Sequence, residues 1–507
     1  MQRTSISSPG WLAAYGLISI LAACSTRESD AEGAASDSVA SASAGGTVER
    51  DAKVPITSSS EEARTLYSRG RDLSDQLRLQ DGRELFAQAA EKDPSFALAH
   101  YNLALAAPSA KEFFQHLNQA VAHADKASEG ERLMILTLQA GANADRVKSL
   151  SHAEELVAKY PRDERAHLIL GNAYFARQQY DKAIGELKRA IEINPSFSPA
   201  YNSLGYAYRP VGNNAEAEKA FRRYIELVPN DPNPYDSYAE LLMKTGRFDE
   251  SIEQYRKALS IDPHFGASRV GIAADLMFTG KHDQAIAEAQ KLHDEARDDG
   301  DRRNAMLSQT LTYADAGRTA MALQMMEKQY ALGAKIADSA AMAGDAVSIG
   351  DILLDAGKAD EARKRYEQAL SLVTGSSLPA DVKEDAQLAH HYNVARVAMR
   401  KNDVATAKAE AAKYLSGAEA KRNDVRLRQA HELAGAIALQ EKQYDQALAE
   451  LAQASQQDPY ALYLTAQAHQ GKGDAAKGKE LAGRAANMNT LPTLDYALIR
   501  ADAKKLL

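Results

Sequence analysis

From about Glu61 onward, apolar residues recur every three and four positions, the spacing that gathers them on one face of an α-helix. Ala183, Ile184, Leu187, Ala190 and Ile191 form one such stripe. The stripes are cut at regular intervals by Asp-Pro or Asn-Pro. Three junctions nearly copy one another: Asp93-Pro94-Ser95-Phe96, Asn194-Pro195-Ser196-Phe197 and Asp262-Pro263-His264-Phe265. Pro195, Pro229 and Pro263 stand 34 residues apart. Proline lacks an N–H and clashes with the preceding turn, so each is expected to end a helix. The same step carries Leu170 to Leu204, Tyr238 and Ile272, Gly171 to Gly205, Ala239 and Ala273, and Tyr174 to Tyr208, Leu242 and Leu276. A second set runs Ala183, Ala217, Ser251, Ala285, with Leu187, Phe221, Tyr255, Ala289 beside it. Gly212, Gly246 and Gly280 fall between the two sets, where a first helix must end and glycine tolerates the left-handed conformation. Each period therefore predicts two helices and a tight turn.

This 34-residue helix-turn-helix unit resembles the tetratricopeptide repeat family. The likeness is fullest from Glu164 to Arg297. Fainter copies carry Gly70, Phe86, Ala89 and Pro94; Gly317 and Ala322; Gly350, Gly357, Ala362, Tyr366 and Ala369; and Gly435, Ala447, Leu451, Ala454 and Pro459. The resemblance implies an all-α fold, a right-handed α-solenoid of about twelve helix pairs. One unit cannot bury enough apolar area alone, but stacked units share a continuous core. The segments Asp294–Arg303 and Thr374–Asp381 break the spacing, which suggests an N-terminal array over 61–299 and a C-terminal array over 300–507, with one continuous superhelix as the alternative.

In that family the first helix of each unit lines a concave surface where peptides or extended segments dock. If Leu170, Gly171 and Tyr174 pack inward, then Leu168, Asn172 and Phe175 turn toward the groove. Asn202, Tyr206 and Arg209 follow in the next unit, then Asp236, Glu240 and Lys244. Amides in this strip can satisfy an extended backbone, and the aromatic rings can supply buried contact area. Pro210 is expected to shorten its helix beside Arg209.

The N-terminus carries a different signal. Arg3 precedes an apolar run from Trp11 to Ala23, thirteen residues, too short to cross a bilayer as a helix. It reads as the apolar part of a secretion signal over residues 1–23. The run closes on Leu21-Ala22-Ala23-Cys24, which resembles a bacterial lipobox. The resemblance implies lipidation of Cys24 after cleavage before it, and Ser25, in place of Asp, implies the outer membrane, facing the periplasm. Residues 24–60 are rich in Ser, Ala, Gly, Asp and Glu and read as a disordered tether.

Composition narrows the rest. Lys+Arg 61 against Asp+Glu 69 gives a net charge of −8, with no basic run of the kind a nucleic-acid partner needs. A single cysteine excludes an internal disulfide and a thiolate zinc site. No His-Glu-x-x-His, Gly-x-Ser-x-Gly or Walker-type loop occurs, the twelve histidines are scattered, and adjacent His390 and His391 point to different helix faces. No catalytic residue, metal or cofactor is expected. The reading is a lipid-anchored scaffold or assembly factor of the cell envelope, binding proteins or peptides. The alternative is a glycan- or nutrient-binding lipoprotein of an outer-membrane uptake system, which the lack of long irregular insertions opposes.

Overall fold

The computed structural model describes residues 53–75, 78–107, 110–143 and 145–507. The apolar run, Cys24 and the tether up to residue 52 lie outside them. Among the described residues there are 25 α-helices and no strand. Twenty-four form twelve consecutive pairs. Pairs 1 to 3 are Glu61–Asp75 with Leu79–Lys92, Ala97–Leu105 with Ala110–His123, and Glu129–Ala142 with Arg146–Lys159. Pairs 4 to 7 are Glu164–Ala176 with Tyr180–Ile193, Ser198–Tyr208 with Asn214–Leu227, Asn233–Lys244 with Phe248–Ile261, and Gly266–Phe278 with His282–Asp294. Pairs 8 to 10 are Asp299–Asp315 with Thr319–Lys335, Ser339–Asp355 with Ala359–Thr374, and Ala380–Arg400 with Val404–Ala420. Pairs 11 and 12 are Asp424–Gln440 with Tyr444–Leu451 and Pro459–Gly471 with Ala475–Ala486; a last single helix is Leu494–Lys505.

The helix ends follow the expected punctuation. The second helices of pairs 4 to 6 stop at Ile193, Leu227 and Ile261, each two residues before its proline. Gly212, Gly246 and Gly280 take φ of 73°, 77° and 77° just past the first helices. The first helix of pair 5 stops at Tyr208, ahead of Pro210, and has 11 residues against 13 in pair 4. Small residues sit where helices nearly touch. A β-carbon at Gly171 would lie 2.9 Å from Leu187 Cγ, and one at Gly205 would lie 2.5 Å from the Phe221 ring. Tyr255 is larger and reaches into the next pair, where a β-carbon at Gly271 would lie 2.1 Å from its Cζ.

After residue 299 the helices lengthen. The first helices of pairs 8 and 9 have 17 residues, and their starts at 299, 339 and 380 are no longer 34 apart. The solenoid continues with a longer period. Throughout, several first helices touch the next first helix, while second helices meet chiefly across a first helix. First helices therefore lie on the inside of the curve. The curve brings distant pairs together: Arg177 meets Asp424 at 2.7 Å and Asn143 donates to Asp381 at 3.1 Å, so pairs 3 and 4 lie beside pairs 10 and 11. The last helix packs on the first helices of pairs 8, 9 and 12, with Tyr496 against Phe278 at 5.7 Å.

Composition predicts a tether running to residue 60, but its last part is bound. Residues 53–60 form no helix, bend at Ser59, and lie across pairs 2 to 4, because their amides meet carboxylates there and because Val54 and Ile56 have apolar surface to cover.

Two glycines test the packing. Gly271→Ala forces Tyr255, which is fully buried, to move and is expected to cost about 1–3 kcal/mol. Gly185 lies inside a helix with no atom within 4 Å of where a methyl group would stand, so Gly185→Ala is expected to gain about 0.5–1 kcal/mol. Urea unfolding midpoints, lower for the first and higher for the second, check both.

Candidate functional site: the inner face

The strip expected to line an open groove is a packed polar seam. Asn202, Tyr206, Arg209, Asp236, Glu240 and Phe175 are all buried, and Leu168, Asn172 and Lys244 are half-buried. Geometry explains the difference. On the inside of a tight curve the first helices converge, and residues that would face solvent on a flatter array meet the neighbouring helix. Arg209 of pair 5 donates to Glu240 Oε2 of pair 6 at 3.0 Å, and its guanidinium lies 5.0 Å from the centre of the Tyr206 ring. Ser268 of pair 7 donates to Asp236 Oδ1 of pair 6 at 2.7 Å. Tyr206 stands edge-on to Phe221, and Phe175 edge-on to Tyr180. Leu168 packs on the small Ala190–Phe197–Ala200 cluster. The structure thus joins Tyr206, Arg209, Asp236 and Glu240 in one polar run, and sets Phe175 and Leu168 in the same apolar cluster as Tyr206.

The same seam continues where the spacing gave no signal. Arg303 of pair 8 holds Asp345 of pair 9 with two bonds of 2.9 and 2.8 Å. Arg396 of pair 10 donates to Asp351 of pair 9 at 2.7 Å, and Tyr366 donates to the same oxygen at 2.8 Å. Arg426 of pair 11 donates from Nε to Asp385 of pair 10 at 3.0 Å. Arg500 of the last helix donates to Asp315 at 2.7 and 2.8 Å and to the Phe278 carbonyl at 2.6 Å. Each of these arginines is buried. The available hint was an Arg or Asp inside an otherwise apolar first helix, such as Arg396 within Asn393–Met399.

Two acids in the seam stand out. Burial, and then the Glu240 carboxylate nearby, push the Asp236 carboxyl well up. Asp275 is fully buried; neither of its oxygens accepts a hydrogen bond, and Ser251 gives its hydroxyl to the Ala239 carbonyl at 2.8 Å instead. Burial pushes Asp275 up to about 8. Three of the histidines have structural partners nineteen residues on: His167 with Glu186, His391 with Glu410 and His431 with Glu450, at 2.6, 2.6 and 2.8 Å. His390 faces a cavity of about 10 Å³ with Tyr366 and Asn393, room for a single water. A shallow recess of about 320 Å³ lies between the second helices of pairs 8 and 9, where Arg365 pairs with Glu327 and Lys358 with Glu361. Among the described residues no three His, Cys, Asp or Glu side chains could hold a metal, and no helix is long and apolar enough to cross a membrane.

Removing one member of a buried ion pair strands the other. Arg209→Ala is expected to cost about 3–5 kcal/mol, and Arg209→Met with Glu240→Leu to recover most of it, read from urea unfolding. Asp275 gives a pH dependence. Its folded pKa lies above the ordinary 3.8, so unfolding releases its proton between about pH 4 and 8, and stability falls as pH rises through that window. Asp275→Asn is expected to flatten that slope in unfolding midpoints taken at pH 5, 7 and 9.

Family models of the tetratricopeptide repeat match residues 67–126, 198–231 and 232–265, and a TPR repeat model matches 171–209. No curated protein matches the chain. Similar solved structures include the MamA protein, 23% identical over 32% of this chain and 89% of that one, with a TM-score of 0.27. A thermophilic TPR protein of Thermus thermophilus is 24% identical over 42% and 98%, with a TM-score of 0.28. A tetratricopeptide repeat protein from Parabacteroides merdae is 15% identical over 65% and 99%, with a TM-score of 0.33. With its 34-residue columns matched by those models over 67–126 and 171–265 and its helices stacked in pairs, the chain contains tetratricopeptide repeats within an α-solenoid.

Proposed function

We propose that the chain is a protein-interaction scaffold held at the surface of a bacterial envelope membrane through lipidated Cys24. The repeats carry the interaction role, since stacked helix pairs present long surfaces to other proteins. The anchor rests on one observation: Leu21-Ala22-Ala23-Cys24 directly follows an apolar run of thirteen residues. One acyl chain binds a membrane marginally and reversibly, whereas several hold firmly, each buried CH₂ adding about 0.8 kcal/mol. Twenty-eight residues separate Cys24 from Lys53, the first described residue. Ser25 after the cysteine supports the outer membrane, facing the periplasm, as the destination. Partners would be other envelope proteins or peptides.

The expected result is incorporation of radiolabelled palmitate into the wild-type chain and recovery of that chain with membranes. Cys24→Ala should abolish both, leaving a soluble, folded array. Equal labelling of the two chains, or membrane recovery unaffected by the substitution, would remove the anchor from this reading.

A further inference from the structure

The segment Lys53–Ser60 departs most from what the sequence suggests, and the surface beneath it is a built site. Its side chains alternate strictly: 54, 56, 58 and 60 are half-buried, while 53, 55, 57 and 59 are exposed. That is the two-residue period of an extended strand, laid on helices. Three carboxylates accept its amides, and a fourth, Glu164, pairs with the Lys53 ammonium. Asp163 Oδ2 accepts the Val54 amide at 2.8 Å, and Glu131 Oε1 accepts the Thr57 amide at 2.7 Å. Asp93 Oδ2 accepts the Ser59 amide at 2.9 Å and the Ser58 hydroxyl at 2.6 Å.

In each case the second oxygen already serves the repeats. Asp163 Oδ1 caps the first helix of pair 4 through the Arg165 and Ala166 amides at 2.8 and 3.2 Å. Glu131 Oε2 closes a capping box on the Ser128 amide at 2.7 Å. Asp93 Oδ1 holds the Ser95 amide at 3.0 Å. The repeats therefore fix these three acceptors whether or not the strap is present. A pocket is prepared as well: Gly130 leaves room for Val54, since a β-carbon there would lie 2.8 Å from Val54 Cγ1, and Tyr160, Leu133 and Leu156 complete the apolar wall. Asp93 is linked to this occupancy. Burial opposes its ionisation, but the hydroxyls of Ser58 and Ser95 and the Ser59 amide outweigh it and hold the carboxyl well below its usual range.

We infer that the edge formed by the N-termini of the first helices of pairs 2 to 4 is a recognition track for extended segments, and that residues 53–60 are its exchangeable internal occupant. The partner that fits has the same chemistry: an extended segment with β-branched side chains two apart, followed by hydroxyl-bearing residues. Backbone amides provide half of the donated bonds and the Lys53, Ser58 and Ser59 side chains the rest, so the track reads conformation together with a few polar side chains. This places the interaction role on an edge, away from the packed inner face. It does not require the lipid anchor, so loss of palmitate labelling would leave it standing.

The test uses the full chain and a fluorescein-labelled peptide of residues 51–62 as probe. Val54→Asp with Ile56→Asp removes both apolar anchors of the strap. This variant should bind the probe at least tenfold more tightly than the wild type, whose tethered strap competes at roughly millimolar effective concentration. Adding Glu131→Gln, which keeps the capping box, should weaken probe binding several-fold. Equal binding by wild type and variant, or none by a variant with unchanged circular dichroism, would overturn the inference. If the variant fails to fold, hydrogen exchange on the wild type decides. Val54, Thr57 and Ser59 amides should exchange by local opening, well before the core amides of the first helices. Exchange only together with that core would make the strap a fixed part of the fold and end the proposal.

Discussion

The convergence of first helices on the inside of the curve is the constraint from which the rest follows. A helix with its side chains is about 10–12 Å across, so a tight curve leaves no solvent between neighbours on the short side. Most charged residues there find partners in the next helix, Asp275 being an exception. At five joints an arginine meets a carboxylate: Arg209 with Glu240, Arg303 with Asp345, Arg396 with Asp351, Arg426 with Asp385, and Arg500 with Asp315. Such pairs add little net stability over well-packed apolar side chains, because removing two charges from water is expensive. Their effect is on register. Sliding one first helix by a turn would leave both charges buried alone, so the seam penalises wrong stacking more than it rewards the right one. Alanine-rich, similar helix pairs need such a device, since their apolar stripes would fit in more than one alignment.

A solenoid whose units touch only their neighbours unfolds in pieces. Three ties here run over longer distances. The Arg177–Asp424 pair and the Asn143–Asp381 bond join the start of the curve to its return. The last helix fills space inside the curve, fixed by Arg500 to both Asp315 and the Phe278 carbonyl. The strap crosses three pairs at once. These ties couple distant units, so a disturbance in one pair is felt beyond its neighbours.

Legibility in the sequence divides at residue 299. Before it, the 34-residue step locates the second-helix ends at Pro195, Pro229 and Pro263 and the left-handed turns at Gly212, Gly246 and Gly280, because proline and glycine act through local backbone sterics. After it, 17-residue helices stretch the period, and columns such as Gly350 and Tyr366 survive without a fixed step. The inner strip does lie on the first helices, yet its burial is not legible from spacing. Whether Asp236 or Glu240 faces solvent depends on curvature, a sum of small rotations that no single residue encodes. The strap is hidden for another reason. Its composition is that of a tether, and only Val54 and Ile56, two apolar residues at an even spacing, distinguish it.

Recognition and packing compete for the same side chains, and this array separates them. On the inner face the arginines and carboxylates satisfy one another, so a ligand arriving there would have to break a buried pair before making a new one, a cost of several kcal/mol. At the N-terminal edge of the first helices the balance differs. The helix end needs only one oxygen of a capping carboxylate. The other oxygen is left to accept an amide without disturbing the cap, as at Glu131 and Asp163, and Asp93 does the same from the turn before pair 2, where one oxygen holds the Ser95 amide. An extended segment, which presents free amides at short intervals along its length, matches that row as a second helix, whose amides are already used, cannot. The edge is therefore where this fold can bind a chain without dismantling the contacts that hold it together.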